Sequence, residues 1–109
     1  MPVYITFEGE TMTAKIVGDI DHHSAKEIRE DIDTALFDHK PKVLYLDYRE
    51  VTFMDSSGIG LIMGRYKQMQ LLDGELRVVN VSTQLKKVMR VAGLDRLAVI
   101  ENGTKKSNS

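Results

Sequence analysis

Val43, Leu44, Tyr45 and Leu46 form a nearly continuous apolar run between two segments whose apolar residues recur at helical spacing. A run of this kind reads as a central strand covered on both faces. Before it, Ala25, Ile28, Ile32, Ala35 and Leu36 fall on one helical stripe. Ser24 and Glu27 open that stripe with the spacing of an S-x-x-E capping box. Lys40-Pro41 closes it, because proline cannot continue a helix. After the run, Ile59, Ile62, Met63, Tyr66 and Met69 again lie at helical spacing, and Gly74 ends the segment. Gly60 and Gly64 share a face of this second helix, which predicts close approach to a sheet or another helix.

The flanks fit the same plan. Val3, Ile5 and Phe7 alternate with Tyr4, Thr6 and Glu8, and Met12, Ala14 and Ile16 alternate with Thr11, Thr13 and Lys15. Period two means half-buried strands, and the short Gly9-Glu10 connection makes them a hairpin. Leu76 to Val81 reads as a further strand. Ser82 or Thr83 then caps a third helix with Leu85, Val88, Met89 and Ala92 inward, and Gly93-Leu94 reads as a glycine C-cap with its hydrophobic contact. Leu97 to Ile100 is the last strand. The order ββαβαβαβ predicts an α/β fold, a mixed sheet with helices packed on it. The expected domain is residues 1–101, and 102–109 reads as a disordered polar tail.

Composition matters mainly for what it excludes. With 15 basic and 16 acidic residues and a formal net charge of −1, the chain is no general polyanion binder, and no direct nucleic-acid partner is expected. The absence of cysteine removes disulfides and thiolate metal sites and fits a reducing, cytoplasmic setting. No apolar run reaches membrane-spanning length, and the N-terminus does not read as a signal peptide, so no membrane partner is expected.

The most informative stretch is Asp55-Ser56-Ser57-Gly58-Ile59-Gly60. Its plain reading is a polar helix cap with packing glycines. A serine at that place also has a hydroxyl held on a rigid strand-to-helix turn, beside a helix end that offers unpaired N–H groups and a positive dipole. A phosphate attached there meets an end that tolerates anions, opposed by the Asp55 carboxylate. A hydrolytic nucleophile is disfavoured, since G-x-S-x-G is absent, and no G-K-[ST] follows the glycines to make a phosphate-cradling loop. The second informative stretch is Gly18-Asp19-Ile20-Asp21-His22-His23-Ser24. Adjacent histidines rarely point at one ion and no third ligand follows by spacing, so no metal site is assigned. Each stretch follows a strand and opens a helix. If those strands are parallel neighbours, Asp21, His22 and Ser24 share a sheet edge with Ser56.

Together, the Gly18–Ala25 stretch and the run from Phe53 through Gln68 resemble the anti-sigma factor antagonists of the STAS family, in particular their sporulation type. The similarity extends through Val88 to Leu94. It implies the STAS fold and makes Ser56, the first serine after the aspartate, the phosphorylated residue. It also implies a partner-binding surface of Asp21, His22, Ser24, Asp55, Ser56, Ser57, Gly58 and Ile59. The implied partners are an anti-sigma factor Ser/Thr kinase, which the unphosphorylated form binds to release a sigma factor, and a metal-dependent Ser phosphatase. The chain needs no cofactor or catalytic residue of its own on this reading. A nucleotide-binding or hydrolytic STAS-like protein, and a stress-response regulator of the same fold, are the alternatives. The family's further C-terminal helix has no counterpart after Ile100.

Overall fold

The structure, a computed structural model, describes residues 2–103. The chain runs through β1 (Val3–Glu8), β2 (Thr11–Val17), α1 (His22–His39), β3 (Val43–Glu50), α2 (Ser56–Leu71), β4 (Glu75–Val81), α3 (Thr83–Val91), a 3-10 turn (Leu94–Arg96) and β5 (Val99–Asn102). The five strands lie in sequence order. β1 and β2 form the expected antiparallel hairpin, and the remaining neighbours are parallel. The predicted mixed α/β architecture is therefore the observed one. The last strand sits two residues later than expected, because the 3-10 turn takes up the residues after Gly93. Asn102, read as the first residue of the tail, closes β5, Gly103 after it donates its N–H to the Val81 carbonyl, and the remainder of that stretch, 104–109, lies outside the described residues.

Three parallel crossovers step across the sheet in one direction. Crossovers of a common hand then put all three helices on one face. Burial along β3 agrees: Leu44, Leu46 and Tyr48 are fully buried, while Val43, Tyr45 and Asp47 are only half-buried. The central strand is thus covered on one face, not two. Register shows why the other face stays open. Tyr45 lies between Thr13 and Arg77, and Asp47 between Lys15 and Val79. Val and Tyr at the odd positions reflect strand propensity, not a second helical layer.

The core lies under the helices. Met12, Ala14 and Ile16 of β2, Val78 and Val81 of β4, and Ile28, Ile32, Ile62, Met69, Leu85 and Met89 of the helices are buried in one cluster. Several inward assignments fail at the margins. Phe7 is exposed at the end of an edge strand, its ring stacked on His39 at 3.9 Å. Met63, Val88 and Ala92 face outward, and Leu61 and Arg65 take the inward places on α2. Arg65 is only 4% exposed, with Nε 3.1 Å from the Asp33 carboxylate of α1. Burial pushes the Asp33 carboxyl up, against the pull of Arg65.

The glycines expected to admit a close neighbour do not. A Cβ added at Gly60 or Gly64 meets nothing within 4 Å, whereas one at Gly74 comes within 2.6 Å of the Lys42 carbonyl oxygen. Gly74 is where the chain leaves α2 and passes tightly under the start of β3.

Candidate functional site

Two loops meet at the carboxyl ends of β2 and β3. Ile20 donates its N–H to the Phe53 carbonyl at 2.9 Å and accepts from Asp55 N–H at 3.0 Å. Ile20 and Met54 thereby form an isolated parallel bridge beyond the strands. Gly18 N–H donates to the Glu50 carbonyl at 3.1 Å, and Thr52 Oγ1 donates to Asp19 Oδ1 at 3.0 Å. Ile20 and Met54 are buried, so apolar packing holds the same junction. The two helix starts are fixed relative to each other by backbone.

The start of α1 corrects the sequence reading. Asp21, not Ser24, is the N-cap, and the reciprocal partner is Ser24, not Glu27. Ser24 N–H donates to Asp21 Oδ1 at 2.8 Å, and Asp21 N–H donates to Ser24 Oγ at 3.0 Å. Aspartate caps as well as serine does, and a serine hydroxyl at the third helical position accepts the bond that glutamate usually accepts. The Ser24 N–H bond holds the Asp21 carboxyl below the usual carboxylate range. Asp21 and His22 are exposed and Ser24 is half-buried.

The start of α2 repeats the device. Asp55 is the N-cap, and its Oδ1 accepts from Ser57 N–H at 2.8 Å. Ser56 is the first helical residue and is exposed, while Asp55, Ser57 and Ile59 are half-buried. Gly58 is buried, and a Cβ there would stand 2.7 Å from Met54 Sδ and 2.9 Å from Met54 Cβ. Gly58 therefore serves packing beneath the turn. The Tyr48 hydroxyl reaches Met54 Sδ at 3.9 Å from below.

The structure thus brings Asp21, His22 and Ser24 to the same sheet edge as residues 55–59, through the parallel β2–β3 pairing on which that expectation depended. A groove of about 330 Å³ runs between the helix starts, with His22, Lys26 and Arg29 on one wall and Ser57 and Gly60 on the other. Sequence reasoning selected neither Lys26 nor Arg29. Their spacing from His22, four and then three residues, is the signal that puts them on one helix face. Phe53, 53% exposed beside Met54, was also passed over. An aromatic left in water at a loop tip next to a helix cap is the signal for it. Among the described residues, no cluster of three or more His, Asp or Glu is placed to hold a metal, and no helix is long and apolar enough to cross a membrane.

The STAS-domain family model matches residues 4–106. The anti-sigma F factor antagonist of Lysinibacillus sphaericus is 33% identical over 78% of this chain and 73% of its own length. An anti-sigma-B factor antagonist of Staphylococcus aureus is 27% identical over 91% of both chains. Among solved structures, the anti-sigma factor antagonist SpoIIAA in its unphosphorylated form superposes with a TM-score of 0.74 at 27% identity, covering 95% of this chain and 91% of its own. The Bacillus SpoIIAA in the phosphorylated form superposes with a TM-score of 0.72 at 29% identity, covering 90% and 89%.

Proposed function

The chain belongs to the STAS-domain family, and on that premise we propose that it is an anti-sigma factor antagonist switched by phosphorylation of Ser56. The unphosphorylated chain binds an anti-sigma factor that is also a Ser/Thr kinase, and binding frees the sigma factor. The kinase holds its own nucleotide and metal, and a metal-dependent Ser phosphatase resets the chain. The protein is then a substrate and a binder, not an enzyme. Its place of work is the cytoplasm, where sigma factors act, and it touches no nucleic acid itself. The observation that carries this reading is the exposed Ser56 hydroxyl at a helix start tied by backbone to a second helix start. A rigid edge of this kind suits presentation of a hydroxyl to another protein's active site.

The local hydrogen bonding supplies a reason for the switch. Asp55 already occupies the Ser57 N–H, so the helix end has fewer free donors for a phosphate. The phosphoryl group adds about two negative charges beside the Asp55 carboxylate. With fewer donors at the helix end to satisfy it, that charge faces the partner, and desolvating it there costs several kcal/mol without a matching cation. The sporulation, sigma-F circuit is favoured over the stress-response one by the higher identity to the sigma-F type antagonist.

The test is incubation of the full chain with a sigma-F type anti-sigma kinase and ATP, followed by mapping of the phosphate. Phosphate on Ser56 is expected, with Ser56→Ala folded, binding and unmodified, and with Ser56→Asp folded but binding more weakly. Phosphate on Ser57, or binding only to a sigma-B type kinase, overturns the assignment of site or circuit respectively.

A further inference from the structure

Among the described residues, β1 has β2 on one side and no strand on the other. Its register decides which backbone groups face outward. Val17 N–H donates to the Pro2 carbonyl at 2.8 Å, so Pro2 lies opposite Val17 in a hydrogen-bonded pair. Bonded and non-bonded pairs alternate along an antiparallel ladder. The next bonded pairs are therefore Tyr4 with Lys15, Thr6 with Thr13 and Glu8 with Thr11. Val3, Ile5 and Phe7 direct their N–H and C=O groups at the open edge.

Exposed edges are usually blunted by lysine, proline, bulges or short length. β1, Val3-Tyr4-Ile5-Thr6-Phe7-Glu8, has none of these within it, and its pairing with β2 is unbroken. The opposite edge is protected: β5 is four residues long and its register with β4 shifts between Val78 and Val81.

We propose that the β1 edge docks a second copy of this chain, antiparallel about a two-fold axis at Ile5. In that register Ile5 faces Ile5, and Val3 faces Phe7 twice. These three pairs are those whose backbone groups point outward, and each exchanges two hydrogen bonds. Tyr4 of one copy stands opposite Thr6 of the other on the open face, an aromatic and β-branched pair. The only charge in the strand, Glu8, falls beyond the paired segment, so no like charges oppose each other. An unrelated strand could satisfy the ladder, but this match of side chains to themselves under a two-fold axis selects a second copy. A ladder of one strand per copy is smaller than a stable interface, so the dimer is reversible and concentration-dependent.

The chain has no cysteine, which permits a direct test. In a bonded antiparallel pair the Cα atoms are about 5.5 Å apart, within disulfide reach. Ile5→Cys in the full chain is expected to cross-link to a dimer under mild oxidant at least tenfold faster than Thr34→Cys on the exposed face of α1. Wild type should sediment with a rising dimer fraction as concentration increases. Both Tyr4→Lys with Thr6→Lys and Tyr4→Glu with Thr6→Glu should be monomers, and their mixture should recover the dimer. Tyr4 and Thr6 are exposed, so these pairs keep the fold. A wild type that stays monomeric, or a dimer in which Ile5→Cys cross-links no faster than Thr34→Cys and the mixture recovers nothing, overturns the proposal.

Discussion

The helix starts at the carboxyl edge are held in two different ways. Those of α1 and α2 are joined by a backbone bridge, Ile20 with Met54, packed on buried side chains. That of α3 has its backbone tie to β5 instead, Gly103 N–H donating to the Val81 carbonyl at 2.9 Å, and adds side-chain bonds: Ser82 Oγ accepts from Leu85 N–H at 3.1 Å, and Asn80 Nδ2 reaches back to Asp47 Oδ1 at 2.9 Å. A cleft of about 400 Å³ opens beside it, lined by Arg49, Asn80, Ser82 and Thr83 among others. A backbone tie survives most changes of side chain, so the first pair of starts keeps its geometry while its exposed residues vary. The α3 start has no backbone tie to either of these two and leans on particular polar side chains where it faces β3. Shape at the Ser56 edge is thus fixed by the backbone bridge and the packing beneath it, which leaves Ser56 itself exposed.

The largest predicted effect comes from removing the packing under that tie. Ile20→Ala should cost about 2–5 kcal/mol, the usual loss for a fully buried aliphatic. It should also speed exchange of the Asp55 amide, which donates to Ile20. A chemical-denaturation midpoint and native-state hydrogen exchange check both. If stability falls while the Asp55 amide keeps its protection, the backbone bridge does not depend on the packing beneath it.

A second, smaller test uses α2 alone. Gly58→Ala forces a Cβ against Met54 Cβ as well as its flexible end, so a loss of about 1–3 kcal/mol is expected from overpacking. Gly60→Ala, one half-turn on, meets nothing and should stabilise by roughly 0.5–1 kcal/mol, the helix-interior difference between the two residues. Opposite signs at two glycines two residues apart would locate the contact with the tie. Stabilisation at both would show that helix propensity alone governs them.

That contrast also shows what the sequence made legible. Element order, the hairpin, the buried stripe of α1 and the edge shared by Asp21 and Ser56 followed from periodicity, because one-sided burial writes itself into spacing. The roles of individual glycines did not. Gly58, Gly60 and Gly64 look alike in sequence, and only the position of Met54 separates them. The face of β3 left open was also hidden, since Val43 and Tyr45 suit a strand whether or not a helix covers them. The cap of α1 was misplaced by one turn because Asp21 and Ser24 are both good caps, and local geometry chose between them.

The α3 start offers the next smaller effect. Ser82→Ala should cost about 1 kcal/mol, the usual value of a cap. Amide protection at Ile20 and Asp55 should be unchanged, as should Ser56 phosphorylation per folded molecule. Lower protection at the Ile20–Met54 bridge would mean that all three helix starts act as one unit.

The smallest predicted effect concerns charge at the α1 cap. Ser24 N–H holds the Asp21 carboxyl below its usual value. A carboxyl depressed on folding contributes stability that is fully present above its unfolded value, about pH 4, and is lost as pH falls through the lower folded value. Asp21→Asn keeps a capping oxygen of similar strength but does not titrate. The stability gap between wild type and Asp21→Asn should therefore be constant near neutrality and shift in favour of Asn below about pH 4. Asp33 provides the opposite sign on the same helix. Burial raises its carboxyl, so its ionisation opposes folding, and Asp33→Asn should remove a term that lowers stability as pH rises through its unfolded value. Urea midpoints from acid to neutral pH for the three proteins separate the two contributions. A wild-type to Asp21→Asn gap that does not move with pH would show that the oxygen atom, not its charge, caps α1. His22→Ala, which leaves the cap untouched, would then be the better probe of partner docking at this edge.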